Sequence, residues 1–432
     1  MSDSKLNTDA KRPEASRPPE WRVLFAGLLA AGYLLFVSIE APIRFYMGPL
    51  AQAKDLLLLS IIGLAFFNRH LNWRLLLACG LAAAAAVWGF YINRSGAPMA
   101  VALGVKQALP WLAGISMAAI APPEQYIRTQ LSRRLYATFF SGVFLLITMS
   151  CVVDAATGAL PWSGSTQEIM GQEVETSREW SADSVRRVAG TARSSFDAAS
   201  MLAISALAMG FLVRSKTLRV IGKGIAMVAI YLTTSKAALV AFAASALTNG
   251  FAFESENPNR LQRFLKGSLL LATVTAMIIL PLSSLSELDS VFRDLRLAEG
   301  FSGASFAERL EIVWPQAIRD VLDSTAVLGF GIGGVGAPLS TYAPELFVPT
   351  DNLFVYLMNL VGALSLPALF FITVGCWNLL KRKRSADQCL LALALFTLNY
   401  GITASVLECS WLSFFLCFGC ATGLGFSPQT RR

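Results

Sequence analysis

Apolar residues run along this chain in stretches of roughly 20, separated by short polar connections, which is the length a helix needs to span a hydrocarbon core of about 30 Å. Runs such as Leu56 to Phe67 and Leu81 to Val87 show no alternation of apolar and polar positions, so the pattern predicts helices and not the strands of a barrel. The predicted spans are Val23–Ile39, Leu50–Phe67, Trp73–Ile92, Met99–Ile120 and Leu135–Val153, then Phe196–Val213, Val220–Leu232, Ala237–Phe251 and Leu265–Leu282. Leu353–Leu380, Cys389–Val406 and Ser410–Phe426 complete a set of about twelve. The expected fold class is therefore an all-α polytopic membrane protein with two large outer loops, the second carrying an amphipathic helix.

The layout divides into a polar, proline-containing N-terminus (1–20), five spans (21–153), a first loop (154–195), four spans (196–282), a second loop (283–351), three spans (352–426) and a short tail (427–432). The N-terminal stretch does not have the form of a cleavable signal peptide and reads as a disordered cytoplasmic tail. Basic residues gather in alternate connections: Arg69 and Arg74; Arg128, Arg133 and Arg134; Arg214, Lys216, Arg219 and Lys223; Arg260, Arg263 and Lys266; Lys381 to Arg384; Arg431 and Arg432. The two long loops contain no lysine and more acids than arginines. This asymmetry predicts both termini in the cytoplasm and both long loops on the outer side of a bacterial inner membrane.

Composition changes this picture little. Of 432 residues, 55% are hydrophobic and 15% charged, too apolar for an ordinary soluble domain. The net charge of +8 is accounted for by membrane orientation, so nucleic acid is not an expected partner. Seven cysteines, most of them in apolar segments, lack the spacing of a disulfide framework. With one histidine, His70, beside them, no metal site is expected.

In the second loop, Phe306, Leu310, Val313, Ala317 and Val321 share one face of a predicted helix over Phe306 to Leu322, with Ser305 as N-cap and Glu308 completing a capping box. The glycine-rich GFGIGGVG at Gly329 to Gly336 reads as a tight structural turn or as a nest of backbone amides for an anion; no Lys-Ser/Thr follows it, as a phosphate-binding loop would require.

Charges at membrane depth are costly and draw attention to Lys106, in the middle of VALGVKQALPWL, and to Lys236. Each reads either as a side chain that snorkels or pairs with a carboxylate, or as part of a polar site; Lys54, nearer a helix end, favours the first. Arg186, Arg187 and Arg193 precede the sixth span, and Arg309 and Arg319 lie on the amphipathic helix. Guanidinium groups converging at the membrane surface suit an anionic lipid headgroup, whereas single solvated arginines would be surface charge. Asp351 and Asn352 open the tenth span, where a carboxylate can accept a proton from a sugar hydroxyl or cap the helix.

Five segments, RVAGTARSSFDAAS (187–200), YLTTSKAAL (231–239), RLEIVWPQAI (309–318), LGFGIGGVG (328–336) and PTDNLFVYLMNLVGALS (349–365), occur in the order and outer-side placement of one family. Together they resemble the O-antigen polymerase and ligase superfamily. The resemblance implies a GT-C-like membrane glycosyltransferase that uses glycan carried on undecaprenyl diphosphate, with no cofactor, metal or nucleotide sugar. It implies that Arg187 and Arg309 hold the diphosphate and that Asp351 is the catalytic group at the acceptor, with Arg193, Lys106, Lys236 and Asn352 binding substrate. The ligases of this family carry a histidine where this chain has Asp351, so the resemblance favours a polymerase of O-antigen, capsule or exopolysaccharide. Its partners would be the lipid-linked oligosaccharide, membrane lipids, and the flippase and chain-length regulator of the same pathway. A ligase transferring glycan to a lipid or protein acceptor is the alternative. A lipid-linked sugar transporter is a more distant one, since no inverted repeat is evident between the halves.

Overall fold

The computed structural model describes residues 19–67, 72–169, 172–178, 181–182, 185–249, 259–285, 303–324 and 328–427. The expectations for the two tails, Arg69, His70, residue 251 and the middle of the second loop, together with the Ser305 side chain, lie outside the described residues.

Helices follow the apolar pattern. They are α1 (Glu20–Ser38), α2 (Glu40–Met47), α3 (Ala53–Phe66), α4 (Trp73–Ile92), α5 (Pro98–Ile120), α6 (Pro123–Tyr126), α7 (Gln130–Thr157), α8 (Ser195–Leu212), α9 (Lys216–Leu232), α10 (Lys236–Thr248) and α11 (Arg260–Ser283). The second half adds α12 (Gly303–Glu308), a π turn (Arg309–Val313), α13 (Trp314–Ser324), α14 (Ala337–Tyr342), α15 (Leu353–Val361), α16 (Ser365–Lys381), α17 (Ser385–Tyr400) and α18 (Ser410–Gly423). Eight stretches among the described residues are long and apolar enough to cross a membrane: α1, Glu40–Phe66, α4, α5, α7, α8, α11 and Leu353–Lys381. Helices α10 and α18 are apolar but shorter. The chain is an all-α, multi-pass membrane protein. Two small antiparallel hairpins, Thr166–Ile169 with Gln172–Glu175 and Ser181–Ala182 with Val185–Arg186, punctuate the first long loop.

Burial sorts the helices. Helix α8, rich in alanine and serine, is 89% buried and forms the centre, whereas α4 is 11% buried and presents its leucines and aromatics outward, as a lipid-facing helix does. Hydrogen bonds define two ends. At one, Asn72 donates to the Phe426 carbonyl (2.6 Å), Arg74 to Leu424 (2.6 Å), Arg133 to Phe211 (3.0 Å) and Arg382 to Thr422 (3.0 Å), so this basic end is built by arginines that cap helix C-termini. At the other, the Ala41 amide donates to Thr191 (3.2 Å), Leu353 to Gly401 (2.8 Å), and the Ser405 hydroxyl to Thr350 (2.8 Å). Both long loops meet at this loop end.

Several boundaries depart from expectation. The eleventh predicted span stops at Tyr400 instead of Val406, because the chain turns there to accept the Leu353 amide at the start of α15. The amphipathic helix begins at Gly303, ahead of the predicted Ser305 cap, and the π turn rephases it. Leu310, Ala317 and Val321 of the predicted face are buried as expected and Trp314 and Ile318 are buried with them, while Phe306 and Val313 pack only partly buried beside them.

The glycine-rich segment is a strap inserted between the α4–α5 hairpin and α15. Four of its amides are taken up by backbone carbonyls: Phe330 donates to Asn359 (2.7 Å), Gly331 to Leu360 (3.0 Å), Ile332 to Ala85 (3.0 Å) and Gly334 to Gly331 (3.3 Å). At Gly331 φ is +71°, and a Cβ would lie 2.5 Å from the Gly89 nitrogen, so backbone conformation and close approach both demand glycine. Of the two readings open in the sequence, this geometry is the structural turn.

Candidate functional site

The turn carrying Arg187 is built by a buried carboxylate. Asp154, 1% exposed at the end of α7, accepts the amides of Ala189 (3.0 Å) and Gly190 (2.9 Å) and pairs with Arg186 (2.8 Å). Gly190 has φ +61°, and a Cβ there would lie 3.0 Å from the Cys151 nitrogen. The R-x-x-G pattern thus has a physical reason: only glycine lets this turn lie against α7 and project the arginines beyond it. Three residues on, Arg193 accepts the Arg178 amide on its carbonyl (2.8 Å), joining the two strands of the loop.

Around these arginines lies an ion network that runs along the loop end. Glu40 accepts Arg44 through Nε (2.8 Å) and Nη2 (2.5 Å) on one oxygen and Lys54 (2.5 Å) on the other, all three side chains being buried. Lys106 pairs with Asp55 (3.0 Å). Arg193 faces Arg44, Arg178, Glu40 and Asp197. Burial, helped by the like charges of Arg44 and Arg178, pushes its pKa down to about 9 against the opposing carboxylates Glu40 and Asp197. Burial is the main cause, and an anion within hydrogen-bond reach would favour the charged guanidinium. The buried Nε atoms of Arg187 and Arg193 have no hydrogen-bond partner among the described residues.

On the other side of the same end, Arg309 pairs with Asp351 (3.0 Å), the two side chains being 24% and 37% exposed. Glu408, on the 401–409 connection, accepts the Ala337 amide (2.8 Å) and faces Arg178, Asp351 and Arg193. Its backbone is pinned by Trp111, whose indole donates to the Leu407 carbonyl (2.8 Å). Burial pushes the Glu408 carboxyl above the usual carboxylate range and Asp351 adds to this, while the Ala337 amide, Arg178 and Arg193 oppose it. Arg187 lies within electrostatic reach of Tyr400, which shares a hydrogen bond with Ser235 (2.8 Å).

Of the residues singled out in the sequence, Arg187, Arg193, Arg309 and Asp351 come to one end of the bundle, and Lys106 joins them through Asp55. Asn352 is there too but is fully buried: its Oδ1 accepts the amides of Phe354 (2.8 Å) and Val355 (3.1 Å), and its Nδ2 donates to Ile402 (2.9 Å). Asn352 is the cap of α15, and Asp351 projects outside it. Lys236 opens α10 with an exposed side chain, and Arg319 is exposed on α13. Sequence reasoning passed over Glu40, Arg44, Asp55, Arg178, Asp197 and Glu408. The available signals were Glu40 and Arg44 four residues apart between apolar segments, and Glu408 as a lone acid between the last two spans.

The arrangement has the chemistry to hold a multiply charged anion on converging guanidinium groups, with two carboxylates beside it able to orient or deprotonate a hydroxyl. In comparisons with known protein families, curated proteins and solved structures, nothing matches this chain.

Proposed function

We propose that the protein is a polysaccharide polymerase of the inner membrane, transferring glycan from undecaprenyl diphosphate onto a lipid-linked repeat unit at the outer face. The observation that carries this reading is the gathering of Arg178, Arg193 and Arg309 around Asp351 and Glu408, with Arg187 beside Tyr400, at the end opposite the basic connections. By the distribution of lysine and arginine that basic end is cytoplasmic, which puts the site outside, with about twelve crossings and both termini within.

In this mechanism the donor's diphosphate rests against Arg187, Arg193 and Arg309. A hydroxyl of the acceptor's terminal sugar attacks the donor's anomeric carbon. The new C–O bond forms as the bond to the diphosphate oxygen breaks, the electron pair leaves on the diphosphate, and the hydroxyl proton passes to a carboxylate of the site. Attack from the face opposite the leaving group inverts the anomeric centre. The guanidinium groups stabilise charge that grows on the leaving oxygen, the kind of preorganised electrostatics worth on the order of 3–4 kcal/mol per donor. Lys106 and Asp55, deeper in the bundle, hold α5 against α3 behind the site.

Binding tests the reading. Nanodisc-embedded protein is titrated with undecaprenyl diphosphate, undecaprenyl monophosphate and undecaprenol. The expected order of affinity is diphosphate, monophosphate, alcohol, with Arg193→Gln and Arg187→Gln each weakening the diphosphate about tenfold. Equal affinity for diphosphate and alcohol, or variants that bind like the parent protein, would remove the basis for the proposal.

A further inference from the structure

The proposed reaction needs one group to take the acceptor's proton, and the sequence directs attention to Asp351. The geometry points to Glu408 instead: we infer that Glu408 is the general base of the transfer, and that Asp351 holds Arg309 against the leaving diphosphate. This inference rests on the glycosyl-transfer reading above.

Three observations separate the two carboxylates. First, Oδ2 of Asp351 is engaged by Arg309 at 3.0 Å, a charge-assisted bond that fixes where the guanidinium points. Glu408 makes no ion pair among the described residues. Its Oε1 accepts the Ala337 amide, its Oε2 has no hydrogen-bond partner among the described residues, and the residue is half-buried. One oxygen is held and the other left open, as a base needs in order to meet a substrate hydroxyl.

Second, the protein shapes its backbone around this carboxyl. Gly336, the last residue of the strap, has φ +70°, and a Cβ there would collide with Glu408 Oε1 and come within 3.4 Å of the Tyr356 ring. The strap therefore ends in a glycine where the carboxyl needs room. Trp111 pins the adjacent Leu407 carbonyl from α5, so Glu408 is fixed from two directions.

Third, the surroundings raise the proton affinity of this carboxyl above that of an ordinary glutamate. The groups facing Glu408 are Asp351 from the start of α15, Tyr356 from within it, Arg178 and Arg193 from the first long loop, and the Ala337 amide at the start of α14. Burial and Asp351 raise its proton affinity, while the arginines and the amide restrain the rise. A base works best with a proton affinity close to the operating pH, which an ordinary solvated glutamate lacks. Of the two arginines that restrain Glu408, Arg193 is also assigned to the diphosphate. The open carboxylate oxygen and the anion site thus share one neighbourhood, as an acceptor hydroxyl attacking a diphosphate-activated carbon requires.

In the test, chain growth on an undecaprenyl-diphosphate-linked oligosaccharide is followed in nanodiscs from pH 5.5 to 9 for the parent protein, Glu408→Gln, Glu408→Asp and Asp351→Asn, with undecaprenyl diphosphate binding measured on the same samples. The inference expects Glu408→Gln to lose about 100-fold or more in turnover while binding the lipid diphosphate within twofold of the parent protein. It expects the parent's rate to fall as pH drops through the raised proton affinity of Glu408. Asp351→Asn should keep that acid limb while binding the diphosphate more weakly, and Glu408→Asp should recover part of the rate. Turnover of Glu408→Gln within tenfold of the parent with the acid limb intact would overturn the inference. So would loss of binding in Glu408→Gln, which would make the residue structural. A parent protein that binds undecaprenyl diphosphate but never lengthens the glycan would instead refute the polymerase reading, and the base assignment with it.

Discussion

Replacing Asn352 with alanine separates a capping role from a substrate-binding one. The side chain is fully buried and makes three hydrogen bonds, two at the first turn of α15 and one to the 401–409 connection. Loss of the cap costs about 1 kcal/mol. Removing the donor to the Ile402 carbonyl adds about 1–3 kcal/mol, for a total of about 2–4 kcal/mol. Scaled to a chain of 432 residues, this lowers the melting temperature by about 2–5 °C, measurable by intrinsic fluorescence in detergent or nanodiscs. Asn352→Asp keeps the acceptor for both amides and loses only the donor, so it should melt between the parent protein and the alanine variant. Because Asp351 is the neighbouring residue, Asn352→Ala should also disturb the Arg309 pair and weaken lipid-diphosphate binding. Unchanged melting of Asn352→Ala together with a raised substrate requirement would rule out the capping role and make Asn352 a direct ligand.

Three other outcomes follow from the structure. Lys106→Met leaves Asp55 without its partner at membrane depth and should destabilise by about 2–3 kcal/mol, less than a fully buried pair because both side chains are partly exposed; adding Asp55→Asn should restore most of the loss, as a double-mutant thermal-melt cycle would show. Gly331→Ala forces a left-handed φ on alanine and drives its methyl into α4, so it should cost at least about 3 kcal/mol and reduce the yield of folded protein by size-exclusion chromatography. Glu408 carries a pH-dependent stability whose sign follows from its raised proton affinity: the folded state holds the proton more tightly than the unfolded one. The parent protein is therefore relatively most stable below the ordinary glutamate range and loses stability as pH rises through the raised value. Glu408→Gln should match the parent near pH 4 and gain on it towards pH 8 in thermal melts.

The helices were legible, and eight stretches among the described residues are long and apolar enough to span, because lipid imposes one solution on a run of roughly 20 apolar residues. Their ends were less so. Tyr400 ends α17 because the next residue's carbonyl serves Leu353, a partner far away in sequence that no local pattern discloses. The π turn at Arg309–Val313 precedes a buried face that keeps Leu310 and Ala317 and adds Trp314 and Ile318, packed with Val355, a partner that no local pattern discloses. At the site, arginines placed just before spans could be read from the sequence, since an uncompensated cation at the membrane surface stands out. Glu408 could not be weighed in the same way. Its significance lies in the Ala337 amide, the strap glycine and Asp351, all brought to it by tertiary folding. The glycine-rich segment shows the converse: its composition allowed an anion nest, and only the partners of its amides decided for a turn.

If this chain lengthens a lipid-linked glycan, as we propose, the product itself shows it. Purified protein in nanodiscs is given an undecaprenyl-diphosphate-linked repeat unit, and the lipid-linked products are resolved by mass spectrometry. The expected product is a ladder of lengthening glycans that stay attached to undecaprenyl diphosphate, with one equivalent of free undecaprenyl diphosphate released per addition, and the ladder is lost in Arg309→Ala. A repeat unit recovered unchanged, or glycan transferred off the polyprenyl carrier to another acceptor, would contradict it.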